Sequence, residues 1–164
     1  MGREMQSGVP ERYRFLYQGF VPADDEPRYR ETLPFERIQL ADTSFHWFGD
    51  PSPTILLCRD GTAEIRTTPW RRGRVHLFDF GRLCELLEHV RFASLPREYD
   101  WGGYDATTFV VTAWPAGGGA PISVSDTGDA GPVELWGVRA AIEGVAQRVR
   151  WEKTDRGASE TQGK

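Results

Sequence analysis

Cysteine is almost missing from this chain: Cys58 and Cys84 are the two in 164 residues. Two thiols make neither a disulfide scaffold nor a zinc site. One falls on a predicted strand and the other on a predicted helix, so both read as buried free thiols in a reducing compartment. Histidine is as scarce. His46, His76 and His89 are the three, and no two stand four residues apart as a helical metal pair would. No Gly-x-Ser-x-Gly element offers a nucleophile. No apolar run reaches the about 18 residues of a membrane span, and the first residues hold none of signal-peptide length. A cytoplasmic protein is expected. Lysine is rare, 2 against 18 arginines. Arginine codons are GC-rich, which suggests a bacterial source.

What remains is enough for a core. Hydrophobic residues make up 39% and aromatic residues 12%, while 18 glycines and 11 prolines imply short elements and many connections. The length fits one domain. The net charge of −4 argues against general affinity for nucleic acid or anionic membrane and suits a partner with a basic surface. Residues 1–34 read as an N-terminal extension, partly loose. In it Tyr13, Phe15 and Tyr17 suggest a short edge strand, and residues 21–34 a loop or linker. Residues 35–152 read as a single α+β domain, and 153–164 as a disordered tail.

The stretch from Leu56 to Ile65 predicts a β-hairpin closed by Asp60-Gly61. A two-residue type I′ turn needs positive φ at both central residues, which Asp-Gly supplies. That register sets Cys58 opposite Ala63 and Leu56 opposite Ile65. Leu56, Cys58, Ala63 and Ile65 then share an apolar face under a helix. Ile55, Leu57, Arg59, Thr62, Glu64 and Arg66 share the other, partly wet. Before the hairpin, Phe35 to Leu40 alternates as a strand that would extend an edge of the sheet. An aromatic loop, Phe45 to Pro51, follows it. Pro69 to Arg74 reads as a basic loop.

The first predicted helix starts with Asp79 as N-cap. Its apolar stripe is Phe80, Leu83, Leu87 and Val90, and Pro96 forbids continuation. Tyr99 to Asp105 reads as a loop. Thr108–Trp114 and Ile122–Ser125 read as strands, with Phe109, Val111, Ala113, Ile122 and Val124 inward. The second helix opens with Pro132, which suits a first-turn position. Its stripe is Leu135, Val138, Ile142, Val145 and Val149, and Trp151 folds back onto the core. Two consecutive ββα units predict an antiparallel sheet of four to six strands with two helices on one face.

Several pieces resemble a family of small bacterial domains of unknown function. They are the lead strand Ile38 to Leu40, the Gly49 to Pro53 loop, the Asp60-Gly61 hairpin and Phe92 with Tyr99. The strand Thr108 to Thr112 and the final Trp151 complete the set. The resemblance spans about two-thirds of the chain. It implies the plan strand, hairpin, helix, hairpin, helix. It implies no catalytic residues.

Asp126-Thr127-Gly128 after a strand is the triplet of aspartic proteases, in which two copies share a proton. Here a helix follows instead of the apolar strand such proteases need, so a turn is the expectation. Asp100, Asp105, Asp126 and Asp129 offer oxygen for calcium, but their spacing is not that of an EF-hand. No metal or other cofactor is expected. Arg66, Trp70, Arg71, Arg72 and Arg74 make a basic stretch with one aromatic. It could hold a phosphate or single-stranded nucleic acid by charge and stacking, yet on an acidic protein a solvated connection is expected and nucleic acid is not.

Trp47, Trp70, Tyr99, Asp100, Trp101, Tyr104 and Asp105 fall in predicted loops. Loops carry binding, and Trp and Tyr anchor interfaces. These seven are the candidate partner-binding residues. The leading expectation is a non-enzymatic protein-interaction domain, an immunity or inhibitor protein being one form, that binds a basic protein and no membrane. The alternative is a small hydrolase or ligand-binding domain with a cleft near the aromatic loops, built on His46, Asp50 and Asp105. A third reading is a scaffold module in a larger assembly.

Overall fold

The computed structural model describes residues 26–42, 53–66, 70–103 and 106–152. The chain runs α1 (Glu26–Thr32), β1 (Phe35–Asp42), β2 (Thr54–Cys58), β3 (Thr62–Arg66), β4 (Arg71–Arg74) and α2 (Leu77–His89). After a 3₁₀ turn, Phe92–Ser94, come β5 (Glu98–Asp100), β6 (Thr108–Pro115), β7 (Ile122–Thr127), α3 (Val133–Arg148) and β8 (Arg150–Trp151). The strands form one eight-stranded sheet in the order β5-β7-β6-β1-β2-β3-β4-β8. Every pair is antiparallel except β5 with β7.

The α+β class stands. Among the described residues the sheet is mixed where an antiparallel one was expected, with eight strands in place of four to six and three α-helices in place of two, and β4 and β5 add a strand to each expected ββα unit. The segment read as a basic loop contains β4, and part of the Tyr99–Asp105 loop is β5. Arg71–Arg74 carries no apolar alternation, so its strand character comes only from pairing with β3. β1 does not lie at an edge. It sits between β6 and β2 and joins the two units.

The hairpin turn is longer by one residue than expected. Gly61 N–H donates to the Cys58 carbonyl at 3.0 Å, and Gly61 has φ +90°. Arg59, Asp60 and Gly61 therefore form a type I turn followed by a left-handed residue, the usual three-residue hairpin. Asp60 Oδ1 accepts from Thr62 N–H at 2.8 Å and from Thr62 Oγ1 at 2.7 Å, which locks the turn. The added residue shifts the register. Leu57 stands opposite Ala63, Ile55 opposite Ile65 and Leu56 opposite Glu64. A slip of one exchanges the faces of a strand. Ile55 and Leu57 thus face the helices, and Leu56 and Cys58 face away.

The inner face of the sheet carries Ile38 and Leu40 (β1), Ile55 and Leu57 (β2), Ala63 (β3), Phe109, Val111 and Ala113 (β6), and Val124 (β7). These pack with Phe80, Leu83 and Leu87 of α2 and Leu135, Val138, Ile142 and Val145 of α3 in one core. Both helical stripes fall where their periodicity places them. α2 begins three residues earlier than expected: His76, not Asp79, is the N-cap, and its Nδ1 accepts from Phe78 N–H at 3.2 Å. Asp79 lies in the first turn and accepts from Arg148 Nη2 at 2.7 Å, tying α2 to the end of α3.

α1 falls where a loop or linker was expected, and its Tyr29 joins the core together with Leu33. Gly81 allows this approach, because a Cβ there would collide with the Tyr29 hydroxyl. Burial holds the Tyr29 phenol well above its ordinary range. Burial likewise pushes the Cys84 thiol up to about 12 and raises that of Cys58, so both are protonated free thiols near neutral pH. The Tyr13–Tyr17 strand, the Phe45–Pro51 loop and the 153–164 tail lie outside the described residues.

Candidate functional site

β5 is one edge of the sheet, paired only to β7 among the described residues. The alternation of the strand divides its residues. Tyr99 points inward, opposite Asp126, and packs on the core. Glu98 and Asp100 point outward and are exposed. Asp100 Oδ1 accepts from Gly102 N–H at 2.7 Å, which turns the chain just after Trp101. Trp101 is 66% exposed. Its indole lies against Gly128, where a side chain would collide with the ring nitrogen. Gly128 also has φ +67°. Only glycine meets both demands without strain.

Five residues after Gly128 the chain enters α3, whose first turns expose Val133 (66%) and Trp136 (42%). Trp136 lies off the apolar stripe of α3. That displacement is legible in the sequence and is a sign of exposure. The β5 end thus offers one largely exposed indole, Trp101, next in the chain to a strand whose outward residues are the carboxylates Glu98 and Asp100.

Trp70 is not part of it. It precedes β4, six strand spacings from β5, which is about 29 Å. There the Arg72 guanidinium lies 4.7 Å from the centre of its ring. The candidate residues therefore divide between opposite ends of the sheet: Tyr99, Asp100 and Trp101 at one, Trp70 at the other. Trp47, Tyr104 and Asp105 lie outside the described residues, as do His46 and Asp50 of the alternative acid–base pair.

The remaining carboxylates have structural tasks. Asp126 is fully buried, and its Oδ1 accepts from Gly131 N–H at 3.1 Å, closing the turn before α3. A carboxylate with no exposure offers a substrate nothing, so the triplet it begins is a turn and not a protease site. Thr127 of that triplet spends its hydroxyl on Thr108 at 2.8 Å. Asp129 stands 3.9 Å from Arg139. Among the described residues no three His, Cys, Asp or Glu side chains gather as metal ligands. No helix among them is long and apolar enough to cross a membrane.

Comparison with protein-family models, curated proteins and solved structures finds no match to this chain.

Proposed function

We propose that the chain is a non-enzymatic protein-interaction domain, of the immunity or inhibitor kind, that receives a basic partner at its β5 end in a bacterial cytoplasm. The observation that supports this most is Trp101: a large ring two-thirds exposed, lying against Gly128, at the end of a strand whose outward residues are Glu98 and Asp100. An ordered aromatic costs little entropy when a partner covers it, and such residues dominate binding energy. Flanking carboxylates steer a positively charged surface toward it. The order of strand, hairpin, helix, hairpin and helix supports placing it with the small bacterial domains it resembles.

The test is capture from source lysate at low and moderate salt with the full chain, followed by mass spectrometry. The expected result is one stoichiometric basic protein. Trp101→Ala should weaken that complex by about 30-fold, a hot-spot effect. Asp100→Asn should chiefly slow association and reduce its salt dependence. Trp70→Ala, at the opposite end, should change neither. An undiminished complex with Trp101→Ala would remove the β5 end from the interface.

A further inference from the structure

The outer face of β3, β4 and β8 gathers arginine on a chain whose net charge is −4. Arg66, Arg72, Arg74 and Arg150 all stand on it, and all are exposed. Glu64 answers two of them, at 3.3 Å from Arg66 Nη2 and 4.0 Å from Arg72 Nε. The Arg74 side chain reaches across Gly61, where the nearby Asp60 carboxylate, hydrogen-bonded by Thr62, also attracts it. Arg150 closes no ion pair among the described residues. Yet Arg74 and Arg150 are directly opposed on antiparallel strands. Like charges in that position cost stability, and no carboxylate of the described fold bridges them. Trp70 lies on the same side, 52% exposed, with Arg72 over its ring. Asp60 offsets Arg74 alone, so the local rule is broken at Arg150, where no carboxylate among the described residues closes an ion pair, and such a break points to function.

We propose that this face binds a nucleotide unit, its phosphate held by Arg72, Arg74 and Arg150 and its base stacked on Trp70. Guanidinium forks match phosphate oxygens and remain charged at every physiological pH. An indole stacks on any base. The unit is supplied either by a free nucleotide or by a single strand of nucleic acid, which present the same chemistry. Glu64 and Glu152 bound the patch, so few phosphates can be held and the salt dependence of binding is shallow.

The experiment is titration of the full chain with inorganic phosphate, adenosine monophosphate, a short labelled oligothymidylate and, as control, oligoglutamate. Both nucleotide probes should bind. Tighter binding of the oligomer per nucleotide identifies a strand as the source; equal binding identifies a free nucleotide. Arg150→Ala should weaken both by about tenfold or more. Trp70→Ala should weaken both by about tenfold while leaving phosphate binding unchanged. Arg150→Ala should melt no lower than the parent, because it removes a like-charge contact, and this separates lost binding from lost folding. Trp101→Ala should have no effect, which keeps this result independent of the β5 reading. Absence of binding by both nucleotide probes, equal affinity for oligoglutamate, or full affinity in Arg150→Ala would each overturn the proposal.

Discussion

The two ends of the sheet use the same device for opposite ends of the charge scale. At the β5 end Trp101 rests on Gly128 and the outward residues are Glu98 and Asp100. At the β8 end Trp151 rests on Gly73, Arg71 stacks on that indole at 5.3 Å, and the outward residues are Arg72, Arg74 and Arg150. In each case a missing Cβ lets a terminal segment lie close enough to hold a ring. They differ in what the ring does. Trp101 is left exposed, whereas Trp151 packs on the core and leaves exposure to Trp70. A net charge of −4 conceals this polarity, since it sums two surfaces of opposite sign.

The largest effects should come from filling the two glycines. A Cβ at Gly73 would stand 2.7 Å from the Arg150 carbonyl oxygen and 2.8 Å from Trp151 Cε3. Gly73→Val should detach β8 and cost about 3 kcal/mol, as overpacking does. Gly128→Val should displace Trp101 and force a β-branched residue to positive φ, at about 2 kcal/mol. Denaturant melts give both costs, and amide exchange should show each loss confined to its own end. Matching losses at both ends would break the comparison.

A second effect should be common to the two ends, because both rest on the core that α2 completes. The Cys84 thiol is raised from 9.0 to about 12, and Tyr29 is raised as well. The folded state therefore keeps protons that the unfolded chain has released. Stability is fully present below about pH 9 and falls as pH climbs toward 12. Cys84→Ala should flatten the first part of that decline in a series of alkaline melts, and Tyr29→Phe the later part. A loss that begins on the acid side of neutrality would show that other groups control it. The smallest effect should be that of Arg148→Ala. Its pair with Asp79 joins the ends of the two helices, but the Arg148 side chain is 61% exposed, so about 0.5 kcal/mol is expected, shrinking with salt.

Much of this fold was legible in the sequence because periodicity is robust. Phe80, Leu83 and Leu87 on α2, Leu135 to Val145 on α3, and Phe109, Val111 and Ala113 on β6 lie on the faces their spacing demands. What was not legible depended on pairing. Asp-Gly is compatible with turns of two or three residues, and nothing local distinguishes them, so the faces of β2 were exchanged. β4 lacks apolar alternation, and β5 and β8 are too short to show a period; they are strands because a neighbour presents hydrogen bonds. α1 was hidden by the proline and acid content of its surroundings, although Tyr29 and Gly81 now explain each other. The candidate site was half legible. Trp70 and Trp101 lie outside the periodic stripes and are exposed, but Tyr99 packs on the core, and the division of these residues between two ends follows only from the strand order.

The central place of β1 sets the timing of folding. Its partner β2 is the next strand in the chain, but its other partner, β6, is synthesised only after β2, β3, β4, α2 and β5. Until Thr108–Pro115 emerges, one side of β1 is an open edge that carries Ile38 and Leu40. The nascent chain thus holds a partly built sheet with an unpaired, apolar strand, the condition in which chains most readily join one another. The long-range β1–β6 pairing is also a slow step, because the whole stretch from β2 to β5 separates the two strands in the chain. The strand that unites the two halves in the finished protein is the one most in need of shelter while it is made.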